Sequence, residues 1–183
     1  MYWPCRARRK SYSNHITNIP SSLTFSMNKN FYLCIVRKKI FYNNIPSINL
    51  RQRDLSEWID ECVKGRGAKV KRLTINFIKE EEMLDLNRKH LNHDEHTDIL
   101  TFSYRDKLII ESEIFISFKR ACENAKNYSE TVENEILRLI SHGLLHIFGM
   151  KDSTKAMKAA MTKQENIFMK KFHVKHTTSE RAI

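Results

Sequence analysis

The chain has 183 residues, of which 41% are hydrophobic and 29% are charged, and its formal net charge at pH 7 is +11. This length and hydrophobic content suffice for one folded domain with a substantial core, and they exclude a chain that is disordered throughout. Since no apolar run approaches the roughly 18–20 residues that span a bilayer, the sequence favours a soluble protein over an integral membrane protein.

The positive charge is concentrated in the N-terminal third. The first 53 residues contain ten of the 32 Lys and Arg residues and none of the 21 Asp and Glu residues. Such a segment favours binding to a polyanion such as RNA through counterion release, but a solvated, disordered tail has the same composition. We therefore predict that residues 1–38 form a basic N-terminal extension. Either this extension is disordered, or its first residues are mis-assigned because translation starts at Met27.

Strands and helices alternate through the next part of the chain. Residues 39–45 are rich in strand-forming residues, and Pro46 ends this first predicted strand. Apolar residues recur at steps of three and four over residues 50–63, which predicts an amphipathic helix. Residues 69–78 predict a second strand, and residues 79–91 a second helix whose first acidic residues complement the positive helix N-terminus.

A strand and its antiparallel partner are predicted in the middle of the chain. Residues 97–104 form the first of these strands. Residues 108–110 and 113–117 form one or two more, and residues 105–107 are the predicted turn. The short connection predicts a hairpin-like pair.

Helices dominate the C-terminal third. Residues 118–128 and 129–148 predict two consecutive helices, with Thr131 as a candidate N-cap of the second. Residues 154–172 predict a further helix from the spacing of their Met, Ile and Phe residues. We predict that residues 173–183 form a C-terminal tail.

This order of elements predicts an α+β fold in a single domain over residues 39–172. Interleaved strands and helices with at least one long crossover place parallel strands side by side, and the hairpin-like pair adds an antiparallel one. The expected architecture is a mixed, mostly parallel sheet of about four strands covered by about five helices. The sequence shows no internal repeat.

A candidate metal site lies at the end of the 129–148 helix. His142 and His146 are four residues apart, so they present their imidazoles on one face of the helix, one turn apart. Gly149 can adopt the left-handed backbone that ends a helix and turns the chain, and the turn can return Asp152 as a third ligand. Three protein ligands with one open position are typical of a catalytic zinc site.

Two separated stretches of this sequence stand out as motifs. The first is Asn-Arg-Lys-His-Leu-Asn-His-Asp-Glu-His-Thr-Asp-Ile-Leu-Thr-Phe at residues 87–102, and the second is His-Gly-Leu-Leu-His-Ile-Phe-Gly-Met-Lys-Asp at residues 142–152. Together they resemble the YbeY family of bacterial ribosomal RNA maturation endoribonucleases. The resemblance extends over roughly residues 40–172, with the two motifs in the family's order.

The resemblance implies a zinc-dependent endoribonuclease specific for single-stranded RNA. Its expected role is ribosomal RNA processing, especially maturation of the small-subunit 3′ end, together with ribosome quality control. One Zn²⁺ per chain would be held by His142, His146 and Asp152, with Asp152 at the place of the family's usual third histidine. A zinc-bound water would attack the phosphodiester. The implied partners are single-stranded RNA, ribosomal RNA and the small ribosomal subunit, in the cytoplasm and without a membrane.

Several positions depart from the family pattern. The family's Arg is Leu91 here, its Lys is His93 and its Pro is His96. Arg88, one helical turn before Leu91, is a candidate replacement for the phosphate-contacting Arg, because a guanidinium suits bidentate contact with phosphate. The family's Gly-Asp pair before the third strand is replaced by Ser112 and Glu113.

Three further polar residues are candidates for a second shell around the metal or for substrate contact. Asn87 lies on the second predicted helix, Asp98 at the start of the following strand, and Glu113 beside the next strand. For Asp98 we favour a structural carboxylate that orients a ligand histidine or caps a turn over direct catalysis.

The sequence alone leaves two other functions open. Metalloproteases share the two histidines but place Glu directly after the first one as general base, where this chain has Gly143. A non-catalytic ribosome assembly factor is favoured by Leu91, because the family's Arg is absent there. His142 and His146 could also be two buried helix histidines bonded to carbonyl groups.

Overall fold

The computed structural model describes residues 39–91, 97–104 and 108–180, and their side chains except those of residues 90, 91 and 175–180. The described elements are β1 (Ile40–Asn43), α1 (Gln52–Lys64), β2 (Lys69–Ile78), α2 (Glu80–Leu91), β3 (Ile99–Ser103), β4 (Ile109–Ser117), α3 (Phe118–Asn127), α4 (Val132–Ile147) and α5 (Lys155–Glu180). The predicted extension at residues 1–38 and the predicted turn at residues 105–107 lie outside the described residues.

The strands form one mixed sheet in the order β1-β2-β4-β3. β1 is parallel to β2 and β2 is parallel to β4, whereas β3 is antiparallel to β4. Ile114 of β4 is therefore flanked by Ile75 of β2 on one side and Thr101 of β3 on the other. The predicted α+β class, with a mostly parallel sheet of four strands and five helices in the described part, is confirmed.

Much of the core lies on one face of this sheet. Alternate residues of a strand point to the same face, and β2 and β4 bury such sets, namely Leu73, Ile75 and Phe77, and Ile110, Ile114 and Ile116. Trp58 of α1 is fully buried, and its indole Nε1 donates to the carbonyl of Phe168 in α5 at 2.8 Å. Within the described ranges, no helix is long and apolar enough to cross a membrane.

Helix boundaries differ from the prediction by three residues or more at two places. α4 begins at Val132 and not at residue 129, because the Thr131 side chain accepts a hydrogen bond from the backbone N–H of Asn134 at 3.1 Å as its N-cap. Ser129, with φ of 56°, has a left-handed backbone that a helix cannot include. α5 continues beyond the predicted end at Phe172 to Glu180, since that stretch contains neither Gly nor Pro.

Candidate metal centre

α4 places two histidines at the edge of the core. Its apolar residues, including Ile136, Ile140 and Leu144, are fully buried against the rest of the domain. His142 and His146 are only partly buried, so their rings reach the border between core and solvent. Such a position lets a helix offer ligands to a metal that an exchangeable water can still reach.

Gly143 allows α4 to approach the sheet closely. A Cβ atom at this position would lie 3.0 Å from Cδ1 of Ile114, 3.1 Å from Cδ1 of Ile99 and 3.1 Å from Oγ1 of Thr101. These distances are shorter than ordinary van der Waals contacts, so a larger residue would require these neighbouring side chains to shift. Position 143 therefore faces the sheet.

The turn after α4 returns the chain to the histidines. Gly149 has φ of 83°, its N–H donates to the carbonyl of His146 at 2.8 Å, and the Met150 N–H donates to the carbonyl of Leu145 at 3.0 Å. This pair of bonds is the Schellman arrangement, which needs a left-handed residue where glycine stands. Asp152 follows two residues after Met150 and lies beside His142.

The three predicted ligands converge. Nε2 of His142 is 2.9 Å from Nε2 of His146 and 3.9 Å from Oδ2 of Asp152, and the candidate ligand atoms of all three lie within 4.8 Å of one another. Ligand atoms around a tetrahedral zinc are roughly 3.3–3.5 Å apart, because each bond is about 2.0–2.2 Å long. The observed separations of 2.9 and 3.9 Å lie on either side of this range.

The other ring nitrogen of each histidine is held by a hydrogen-bond acceptor. Nδ1 of His142 is 2.7 Å from Oε1 of Glu165 in α5, and Nδ1 of His146 is 3.0 Å from the carbonyl oxygen of Met150. Glu165 is only 4% exposed. An acceptor at each Nδ1 favours the tautomer that carries its proton there, which leaves the Nε2 lone pairs available to a metal.

This tautomer fits a cation between the rings. With both protons on Nδ1, two Nε2 lone pairs face each other at 2.9 Å, and an ion between them would replace their repulsion by bonding. Burial, together with the neighbouring His142, lowers the pKa of His146 below its usual 6.5 and so favours the neutral ring that binds metals. Two imidazoles and a carboxylate therefore form a donor set suited to Zn²⁺.

A cavity of about 580 Å³ adjoins the metal centre. His142, Asp152 and Glu165 form part of its wall. Another part is a network in which Arg138 donates to both carboxylate oxygens of Glu135, at 2.7 and 2.6 Å. The residues of this wall that take part in the network are Asp98, Asn124, Glu135 and Arg138.

The wall of the cavity beside the metal centre does not include Asn87, Arg88 or Glu113. Asn87 is buried in α2, and its amide donates to Oγ1 of Thr97 at 3.0 Å. Arg88 is exposed on α2 and is not among the residues that line the cavity. Glu113 accepts a hydrogen bond from the hydroxyl of Tyr104 at 2.7 Å.

Asp98 does reach the cavity, where its Oδ2 accepts from Asn124 at 2.9 Å and lies 3.5 Å from Nη2 of Arg138. Among the described residues, the side-chain partners of Asp98 do not include a ligand histidine. The departures from the family pattern at His93, His96 and the Leu91 side chain lie outside the described residues.

Sequence reasoning missed Glu165 and Arg138. Arg138 lies four residues before His142, so helical spacing could have placed both on one face of α4. Glu135 lies three residues before Arg138, a spacing that predicts an ion pair. Glu165 gave no such signal, because it is 23 residues from His142 and meets it only when α5 packs against α4.

Comparisons with known proteins agree with this architecture. The family model described as Endoribonuclease YbeY matches residues 41–173. An Endoribonuclease YbeY from Cytophaga hutchinsonii is 37% identical over 128 residues, which cover 69% of this chain and 90% of that protein. One from Bacteroides thetaiotaomicron is 30% identical over 118 residues, covering 64% of this chain and 86% of that protein.

A solved structure supports the fold. The solution structure of TM1509 from Thermotoga maritima matches with a TM-score of 0.53 at 24% identity, covering 74% of this chain and 93% of that one. At this identity the likeness bears on the fold alone.

Proposed function

The chain belongs to the Endoribonuclease YbeY family, and on that premise we propose that it is a zinc-dependent endoribonuclease that cleaves single-stranded RNA. Its substrate is ribosomal RNA, its task is processing of the small-subunit 3′ end, and the same activity serves ribosome quality control. The small ribosomal subunit is the proposed partner and the cytoplasm the proposed location. One Zn²⁺ per chain is the proposed cofactor.

The observation that carries this proposal is the convergence of His142, His146 and Asp152, with Glu165 and the Met150 carbonyl behind the two imidazoles. Zinc held there would polarise a phosphoryl oxygen and lower the pKa of a water ligand to about 7. The chain's own contribution is to fix both rings through Nδ1 and to leave one side of the site open to the cavity.

Hydrolysis of proteins is disfavoured by position 143. A metalloprotease needs a Glu after the first histidine as general base. Here that residue is Gly143, and any Cβ atom at this position would contact Ile99, Thr101 and Ile114 of the sheet. A side chain at position 143 would thus begin on the side of α4 that packs against β3 and β4.

A non-catalytic role in ribosome assembly is the second candidate, because Leu91 replaces the Arg expected from the family pattern. Such a factor would bind RNA without needing a metal with an open coordination position. The arrangement of three ligands with one open side favours catalysis over this role. Arg88, exposed on α2, remains the predicted phosphate contact from the sequence.

The test uses the purified full chain and a labelled single-stranded oligoribonucleotide. We expect cleavage in the presence of zinc, loss of cleavage after chelation and recovery when zinc is added back. Asp152→Ala should abolish cleavage, whereas Asp85→Ala, which removes an exposed carboxylate from α2, should not. Parallel assays with double-stranded RNA and an unfolded protein substrate test specificity and the protease alternative.

Two outcomes would contradict the proposal. If the chain binds the oligonucleotide without cleaving it, and neither chelation nor Asp152→Ala changes this result, the assembly-factor role is correct. If the unfolded protein is cleaved in a zinc-dependent manner and RNA is not, the chain is a protease.

A further inference from the structure

We propose that Arg138 contacts a phosphate group of the RNA substrate beside the metal centre, and that Glu135 positions it for this contact. The inference rests on the proposed nuclease function and assigns a phosphate-contacting residue within it. Neither the family pattern, whose Arg corresponds to Leu91, nor the sequence prediction of Arg88 identifies this side chain.

The place of Arg138 follows from the helix. It lies one turn before His142 on α4, and residues four apart on a helix are neighbours on one face. Arg138, His142 and Asp152 also line the same cavity of about 580 Å³. A phosphate bound at the open side of the metal centre would therefore lie within reach of this guanidinium.

The orientation of Arg138 is fixed by carboxylates. Its Nε and Nη2 donate to Oε2 and Oε1 of Glu135 at 2.7 and 2.6 Å, and Nη2 lies 3.5 Å from Oδ2 of Asp98. The amide of Asn124 donates to both Asp98 and Glu135, at 2.9 and 3.1 Å, so the carboxylates are themselves held. A guanidinium held in this way loses little conformational freedom when it binds a ligand.

Nη1 of Arg138 makes no hydrogen bond with any residue that the structure describes, so both of its N–H groups are available to a ligand. The side chain is 31% exposed, and it lines the cavity. The hydrogen bonds to Glu135 raise the pKa of Arg138, so the group stays charged at any pH of interest. A planar, permanently charged donor suits a phosphate oxygen better than the exposed ammonium of Lys158 on the same cavity wall.

A purely structural role must be separated from this one. Glu135 is only 3% exposed, so Arg138 could serve only to neutralise a buried carboxylate. Removing Arg138 alone would leave that charge unpaired and destabilise the fold, whereas replacing both partners by apolar residues is often neutral for stability. The double variant Glu135→Leu/Arg138→Leu therefore removes the proposed phosphate contact without leaving a buried charge.

The experiment compares the wild type, this double variant, Arg138→Lys and Arg120→Leu. Arg120 is a matched control, because it is 33% exposed, pairs with Glu123 three residues away and does not line the cavity. Melting temperature, zinc content, kcat and KM for a single-stranded oligoribonucleotide are measured for each. Arg138→Lys keeps the positive charge but lacks the planar guanidinium and its paired N–H donors. It therefore tests the phosphate contact even if the double variant does not fold.

We expect the double variant to keep the melting temperature and zinc content of the wild type while its kcat falls about 100-fold, the size of effect seen when one transition-state donor is lost. The kcat of Arg138→Lys should fall by less than that of the double variant, and Arg120→Leu should retain the wild-type kcat. Glu135→Gln should lower kcat with little change in KM, since it loosens Arg138 without removing it.

A double variant or Arg138→Lys that cleaves at the wild-type rate would overturn the assignment of Arg138 while the nuclease function stands. A wild type that takes up zinc and does not cleave single-stranded RNA would overturn the proposed function and this inference with it. The two failures are distinguished by the wild-type assay alone.

Discussion

The metal centre brings its candidate residues together, whereas α2 and the strands that follow it spread theirs over separate places. At the metal centre, the Nε2 atoms of His142 and His146 lie 2.9 Å apart, and both Nδ1 atoms have an acceptor. Asn87, in contrast, is buried in α2 against Thr97, and Glu113 bonds to Tyr104. The difference indicates that the first group is arranged for a ligand and that Asn87 and Glu113 serve the fold.

This comparison predicts different effects of substitution in the two regions. Changes at the metal centre should alter metal affinity more than stability. Changes at Asn87 or Glu113 should alter stability and leave metal content unchanged.

The largest effect on metal affinity outside the three ligands is expected for Glu165→Gln. The amide can still accept from Nδ1 of His142 but carries no charge, so the ring becomes a weaker ligand. We predict that the dissociation constant for zinc rises about 10–100-fold, measured by competition with a chromophoric chelator. Glu81→Gln makes the same chemical change at an exposed position of α2 and should leave the affinity unchanged. Equal affinities for both variants would show that Glu165 does not support His142.

Gly143→Glu tests whether the sheet side of α4 can accept a side chain. It recreates the metalloprotease pattern, but its Cβ atom would crowd Ile99, Thr101 and Ile114, and its charged side chain would start from a buried position that faces the sheet. We predict that the free energy of unfolding falls by at least about 2 kcal/mol, measured by urea denaturation. Gly143→Ala adds only the Cβ atom and should have a smaller effect. A stable Gly143→Glu variant that cleaves protein would contradict the account of this position.

Asn87→Ala tests the role of the buried side chain in α2. The side chain is 1% exposed and its amide donates to Thr97, so its removal leaves a partly buried hydroxyl without this donor. We predict a loss of about 1–3 kcal/mol in the free energy of unfolding with an unchanged zinc content. Lys89→Ala, at an exposed position of the same helix, should change neither quantity. Loss of zinc from a folded Asn87→Ala protein would place Asn87 at the metal centre instead.

The smallest predicted effect is on proton binding. Burial and the nearby His142 lower the pKa of His146 in the metal-free protein. We expect its ring protons to titrate with a midpoint below 6.5 in an NMR experiment, because the charged form is disfavoured there. A midpoint above 6.5 would mean that a carboxylate, rather than burial, dominates the environment of His146.

Local sequence patterns predicted most of the fold. The alternation of β-forming residues over Lys69–Ile78 corresponds to β2 at both ends, and Thr131 is the N-cap of α4 as predicted. The C-terminal end of α5 was not predicted, because residues 173–180 have no apolar periodicity and still continue the helix. Periodicity detects the buried face of an element but not a solvated extension of it.

The same limit applies to the site. His142, His146 and Asp152 were predicted together because a helix turn and a Schellman motif are local structures. Glu165 could not be found in this way, since its contact with His142 depends on how α5 packs against α4. Local sequence patterns located the ligands, but the supporting carboxylates required the tertiary structure.

The central claim is that α4 and its turn hold one catalytic zinc per chain. Metal analysis of the full chain, purified without chelator, beside His146→Ala tests it most directly. The account predicts about one zinc per wild-type chain and almost none in His146→Ala, with both proteins folded. A wild type without zinc, or equal zinc in the two proteins, would contradict it.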